Sequence, residues 1–121
     1  MAAKGLKAVS EQAKANKMKV NTVFIHHVFF WLKEPGNPEI RVQFEQGLNE
    51  LIKVPQIQYS HIGTPAESSR EVIDGSFTYS YMALFRDKED QEIYQVHPIH
   101  QQFIKNCQHL WEKVIVYDAL N

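Results

Sequence analysis

Six histidines, at positions 26, 27, 61, 97, 100 and 109, are the residues in this 121-residue chain best suited to chemistry. Imidazole is the side chain whose ordinary pKa allows it to take and release a proton near neutrality. His97-Pro98-Ile99-His100 follows Tyr94 closely, and six residues separate Tyr94 from His100. On an unbroken helix that interval turns through about 600° and puts the two side chains on opposite sides. The residue before a proline avoids helical geometry, so a break at His97 re-aims the second segment and lets both converge on one cavity. Tyr79, Tyr81 and Tyr94 all offer phenols that either act as general acids and hydrogen-bond donors or serve as amphipathic packing residues, and a phenol beside an imidazole is equipment for general acid–base chemistry. His97 itself reads as a cap at the break. His97 and His100, with Cys107 and His109 nearby, also raise a metal reading, but their spacing matches no common zinc motif, so no metal and no cofactor is expected.

His26 and His27 are neighbours in a strand pattern and must point to opposite faces of it. His27 shares its face with Phe29 and Trp31, where it reads either as a packed aromatic-face residue or as part of a site. Asp118, near the end of the chain, either orients a histidine or sits in solvent. No glycine-rich phosphate loop and no Gly-x-Ser-x-Gly elbow is present, and Cys107 falls in a helical core pattern, so nucleotide-phosphate binding and thiol or serine nucleophiles are not indicated.

The elements that must position these residues follow from periodicity. Residues 22–33 are dominated by β-branched and aromatic residues and predict a strand, apolar on both faces. Asn37-Pro38 opens a helix with Ile40, Phe44, Leu48, Leu51 and Ile52 on one stripe, stopped by Pro55. Residues 56–62 alternate as a strand. A polar loop runs from Gly63 to Gly75, and loops that long are often functional. Residues 76–86 alternate again, with Phe77, Tyr79, Tyr81, Ala83 and Phe85 on one side. Asp87 and Asp90 open a helical region broken at His97, and residues 113–118 close the chain as a strand. The order β-α-β-β-α-β predicts an α+β, ferredoxin-like fold, a four-stranded antiparallel sheet with two helices on one face. Two helices leave the other face bare. With Phe77, Tyr79 and Tyr81 assigned to it beside Phe29 and Trp31, that face predicts a homodimer packed sheet against sheet.

Composition bounds the rest. Hydrophobic residues are 44% and charged residues 22%, as in an ordinary globular chain. The single cysteine excludes an intrachain disulfide and fits a reducing, cytoplasmic setting. No apolar run is long enough to span a membrane, and no signal segment with a cleavage site is evident. The net charge of −1 argues against nucleic-acid or membrane-surface binding. The charge is uneven, however: residues 1–20 carry five lysines against Glu11 and lack a strong apolar face, so they read as a basic arm or helix appended to one domain over residues 21–121.

Several segments together resemble the stress-responsive A/B barrel (Dabb) family: His27-Val-Phe-Phe-Trp-Leu-Lys33, Phe77-Thr-Tyr-Ser-Tyr-Met-Ala-Leu-Phe85, Tyr94-Gln-Val-His-Pro-Ile-His-Gln-Gln-Phe103 and Trp111-Glu-Lys-Val-Ile-Val-Tyr-Asp118. The resemblance implies a ferredoxin-like subunit whose sheets pair into a dimeric α/β barrel. A polyketide cyclase of that family performs an aldol cyclisation, and the resemblance places its catalytic His at His100, its partner Tyr at Tyr94 and its first-strand pocket His at His27. This chain has Tyr79 where that enzyme has a third-strand histidine, and bulky Phe29 and Trp31 that would partly fill a tunnel. Two readings follow. The first is a homodimer of unassigned activity binding a small hydrophobic or aromatic ligand through Tyr79, Phe29, Trp31 and Trp111. The alternative is a cyclase- or lyase-type enzyme using His100 and Tyr94 as acid and base on a polyketide-like carbonyl compound. A buried cavity of a few hundred Å³ holding both residues would favour the enzyme.

Overall fold

The computed structural model describes residues 20–121; the basic segment expected over residues 1–20 lies, Val20 apart, outside the described residues. Strand β1 is Phe24–Leu32, helix α1 Pro38–Leu51, β2 Ile57–Gly63, β3 Tyr79–Phe85, α2 Lys88–Val96, α3 Pro98–Cys107 and β4 Trp111–Leu120, with a turn of 3₁₀ helix at Gln108–Leu110 before β4. All strand pairings are antiparallel in the order β2-β3-β1-β4, the ferredoxin-like arrangement, with the second helical region divided in two.

Local chemistry sets the helix ends. Asn37 accepts from the N–H groups of Glu39 and Ile40, with Pro38 in the first turn of α1. Asp87 accepts from Asp90 N at 2.8 Å and opens α2. His97 is extended (φ −67°, ψ 140°), as its place before Pro98 requires, and its Nδ1 accepts from Ile99 N at 3.0 Å. One residue thus ends α2 and caps α3.

Alternate β1 residues, Phe24, His26, Val28, Phe30 and Leu32, are buried under the helices. On β3 the buried set is Tyr79, Tyr81, Ala83 and Phe85, which the register places beside them, Val28 opposite Tyr81 and Phe30 opposite Tyr79. Phe44 and Leu48 of α1 and Phe103 of α3 complete the core. Gly47 lets α1 approach α3 there, since a Cβ in its place would collide with Cys107 Sγ.

This corrects one expectation. Tyr79 and Tyr81 face the helices, not the bare face of the sheet. The regular pleat of β3 begins only at Tyr79, because Thr78 turns its side chain to accept from Leu32 N at 3.0 Å and Ser76 Oγ accepts from Trp31 Nε1 at 3.0 Å. Phe77 therefore falls out of phase with Tyr79 and packs on Phe29 across the sheet (ring centroids 5.0 Å apart). The face without helices carries Ile25, His27, Phe29, Trp31, Phe77, Met82, Leu84, Ile115 and Tyr117. It remains aromatic and apolar, though made of different residues. The loop before β3 extends to Thr78, and β4 is longer at both ends than the sequence suggested. Among the described residues no helix is long and apolar enough to cross a membrane.

Candidate active site between the sheet and the broken helix

The break at His97 brings Tyr94 and His100 together, with ring centroids 4.8 Å apart. Both line a cavity of about 220 Å³ between the sheet and α2–α3. Its polar lining is His26, Tyr81, Tyr94, Gln95 and His100, and its apolar walls include Phe30, Phe103 and Trp111. Val114 and Val116 of the edge strand β4 border it on the side the helices leave uncovered; they are 41% and 47% exposed.

Of the residues expected to carry chemistry or bind a ligand, Tyr94, His100 and Trp111 line this cavity. His27 does not. It lies on the opposite face of the sheet, where its Nε2 meets Ser80 Oγ at 2.8 Å and its ring stacks on Phe29 at 4.3 Å. The first-strand histidine in the cavity is His26, one residue earlier. Phe29 and Trp31 share the face of His27, so they do not narrow the cavity; Trp31 lies under the Lys113 ammonium, 4.5 Å from its ring centre. Tyr79 is buried against α1, where its hydroxyl donates to Glu45 and the Arg41 guanidinium covers its ring at 4.9 Å. Burial, then the Glu45 bond, push its phenol up to about 12, against the pull of Arg41.

Two residues complete the site. Asp118 Oδ1 lies 2.7 Å from His26 Nδ1. A carboxylate only accepts, so the proton of that bond belongs to Nδ1. The His26 ring lies 5.6 Å from that of Tyr94. Tyr81 meets Tyr94 hydroxyl to hydroxyl at 3.1 Å. The signal for His26 was its parity with Phe24, Val28, Phe30 and Leu32. Parity groups residues but does not name the face the helices cover when both faces are apolar.

The electrostatics divide the roles. The His100 imidazole is held below the usual histidine range, first by burial and then by the neighbouring His26, while the backbone of Gln95 pulls the other way. It is therefore neutral at pH 7 and able to accept a proton. The Tyr94 phenol is pushed far above the ordinary tyrosine range, chiefly by burial, with Tyr81 and Asp118 adding to it. Burial pushes Tyr81 up to about 12, against the effect of its bond to Tyr94. Both tyrosines thus remain hydrogen-bond donors at any physiological pH. Among the described residues no group of three His, Cys, Asp or Glu side chains is placed to hold a metal.

The strand order, with helices across one face and a break in the second helical region, defines a ferredoxin-like α+β protein. The chain belongs to the stress responsive A/B barrel domain (Dabb) family, whose match covers residues 24–121. No curated protein shows significant similarity to it. Among solved structures it resembles a Dabb family protein with a ferredoxin-like fold from Mesorhizobium loti (19% identity, TM-score 0.69, 82% of this chain and 96% of that one). It also resembles a hydroxynitrile lyase from Passiflora edulis (20%, TM-score 0.71, 84% and 95%). A third is a dimeric ferredoxin-like protein of unknown function from Thermobifida fusca (15%, TM-score 0.67, 88% and 97%). At these identities the likeness concerns the fold.

Proposed function

We propose that this protein is an acid–base enzyme of lyase or cyclase type, acting as a homodimer on a small, largely apolar carbonyl compound. The observation that carries the reading is one apolar cavity gathering two imidazoles and two phenols. Capture of a small hydrophobic or aromatic ligand, the first reading from the sequence, keeps only Trp111 of its expected contacts in this cavity, and a binding pocket needs no carboxylate-oriented histidine beside a second, neutral one. His100 takes a proton from the carbon next to the carbonyl, or from a hydroxyl on the carbon whose bond breaks. Tyr94 stays protonated and stabilises the developing oxyanion by a hydrogen bond. His26, fixed by Asp118, holds the substrate between them, and the His100 imidazolium gives its proton to the alkoxide formed in a cyclisation, or to the enolate or cyanide released in a cleavage. The cavity volume suits a single aromatic ring with a short substituent rather than a long polyketide.

The test offers the full chain a panel of cyanohydrins and β-hydroxy ketones, with aldehyde release followed by absorbance. The hydroxynitrile lyase with the same fold supports including the former. Turnover is expected for at least one class, and Asp118→Ala, which leaves the His26 ring without its partner, should lower it measurably. Turnover equal in the wild type and this variant, or none with any small carbonyl compound, would overturn the reading.

The dimer rests on the bare aromatic face of the sheet, and the Thermobifida protein of the same fold is described as dimeric. Light scattering at micromolar concentration and neutral pH is expected to give twice the chain mass, and Phe29→Glu should shift the population toward monomer. A stable wild-type monomer would rule the dimer out.

A further inference from the structure

Tyr81 and Tyr94 are each only 1% exposed, and their hydroxyls bond to each other. Among the described residues neither hydroxyl bonds to any other protein group. The pair carries two protons, and the bond between them uses one. The second has no protein acceptor, and leaving a buried donor unmatched is costly. Both residues line the cavity, so that donor is available to whatever occupies it. The two are not equivalent. Tyr94 touches both imidazoles, His26 at 5.6 Å and His100 at 4.8 Å between ring centres, whereas Tyr81 packs only on His26, at 6.5 Å. The reacting oxygen of a ligand within reach of His100 therefore lies beside Tyr94.

We infer that Tyr81 is a positioning residue for Tyr94: it donates to the Tyr94 oxygen, leaves the Tyr94 proton directed into the cavity, and so selects ligands whose oxygen carries negative charge, enolates and phenolates, over their neutral counterparts. A chain of two hydroxyls ending on an anion is polarised along its length, and each bond strengthens the next. A neutral ether oxygen polarises the chain far less. The inference rests on the functional reading only in taking this cavity as the ligand site.

Two probes of nearly the same shape test it: 4-nitrophenolate at mildly alkaline pH and 4-nitroanisole, titrated optically into the wild type, Tyr81→Phe and Tyr94→Phe. The wild type should bind the phenolate more tightly than the ether. Tyr81→Phe, which keeps the ring and its packing, should weaken the phenolate about tenfold, the scale of one lost charge-assisted hydrogen bond, and change the ether less than about twofold. The bound phenolate absorption band should also move when Tyr81 is replaced, a readout that packing alone would not shift. Equal weakening of both probes would reduce Tyr81 to a structural residue. If Tyr94→Phe loses the phenolate preference and Tyr81→Phe keeps it, the positioning role falls and the proposed active site stands. A wild type that binds neither probe removes the ligand site and the positioning role together.

Discussion

His100→Ala is expected to lower turnover of any substrate found by about 10²–10⁴-fold, the usual worth of a positioned general base. Stability should change by less than about 1 kcal/mol, because the ring is half-buried, lines an open cavity and is not a core strut. The pH profile supplies a second signature. Because the His100 pKa is lowered, the neutral base persists below the usual histidine range, and the acid limb of activity should lie lower than for a free imidazole. The same shift links to stability with a definite sign. The fold favours the neutral ring, so its contribution is complete above the ordinary histidine pKa and is lost as pH falls from there through the lowered value. Kinetics and urea denaturation on the purified variant check both points. A loss of several kcal/mol with turnover retained would show that His100 is a satisfied core histidine and not the base.

Phe44→Ala should have the largest effect on stability, about 3–5 kcal/mol, as for large aromatic truncations in well-packed cores. Phe44 is fully buried, and its ring meets those of Phe30 (4.9 Å), Tyr79 (5.3 Å), Phe103 (6.0 Å) and Trp111 (6.2 Å). No neighbour can collapse into the space without leaving its own aromatic partner. A domain of this size has roughly 5–15 kcal/mol in total, so the variant should lie near the edge of folding. Phe30, Phe103 and Trp111 also wall the cavity, so ligand binding should weaken with stability. A urea midpoint equivalent to less than about 1 kcal/mol of loss would mean that α1 does not pack as described.

The sequence by itself determined the order of elements, because their signals are local. Asn37-Pro38 at the start of α1, Asp87 at the start of α2 and the extended residue before Pro98 depend on side chains reaching backbone groups two or three positions away. The convergence of Tyr94 and His100 was legible for the same reason, since a proline removes a helical conformation whatever surrounds it. The irregular start of β3 was not legible. Thr78 and Ser76 leave the pleat to bond Leu32 and Trp31, partners more than 40 positions away, and that displaced Phe77 from the face of Tyr79 and Tyr81. The choice between His26 and His27 also belonged to the tertiary structure. Alternation sorts a strand into two faces, but when both are apolar only the packed helices distinguish the inside from the outside. Asp118 and Tyr81 joined the site in the same way: antiparallel pairing set Asp118 opposite His26 and Tyr81 opposite Val28, and a pairing register between distant strands is fixed by the whole sheet at once.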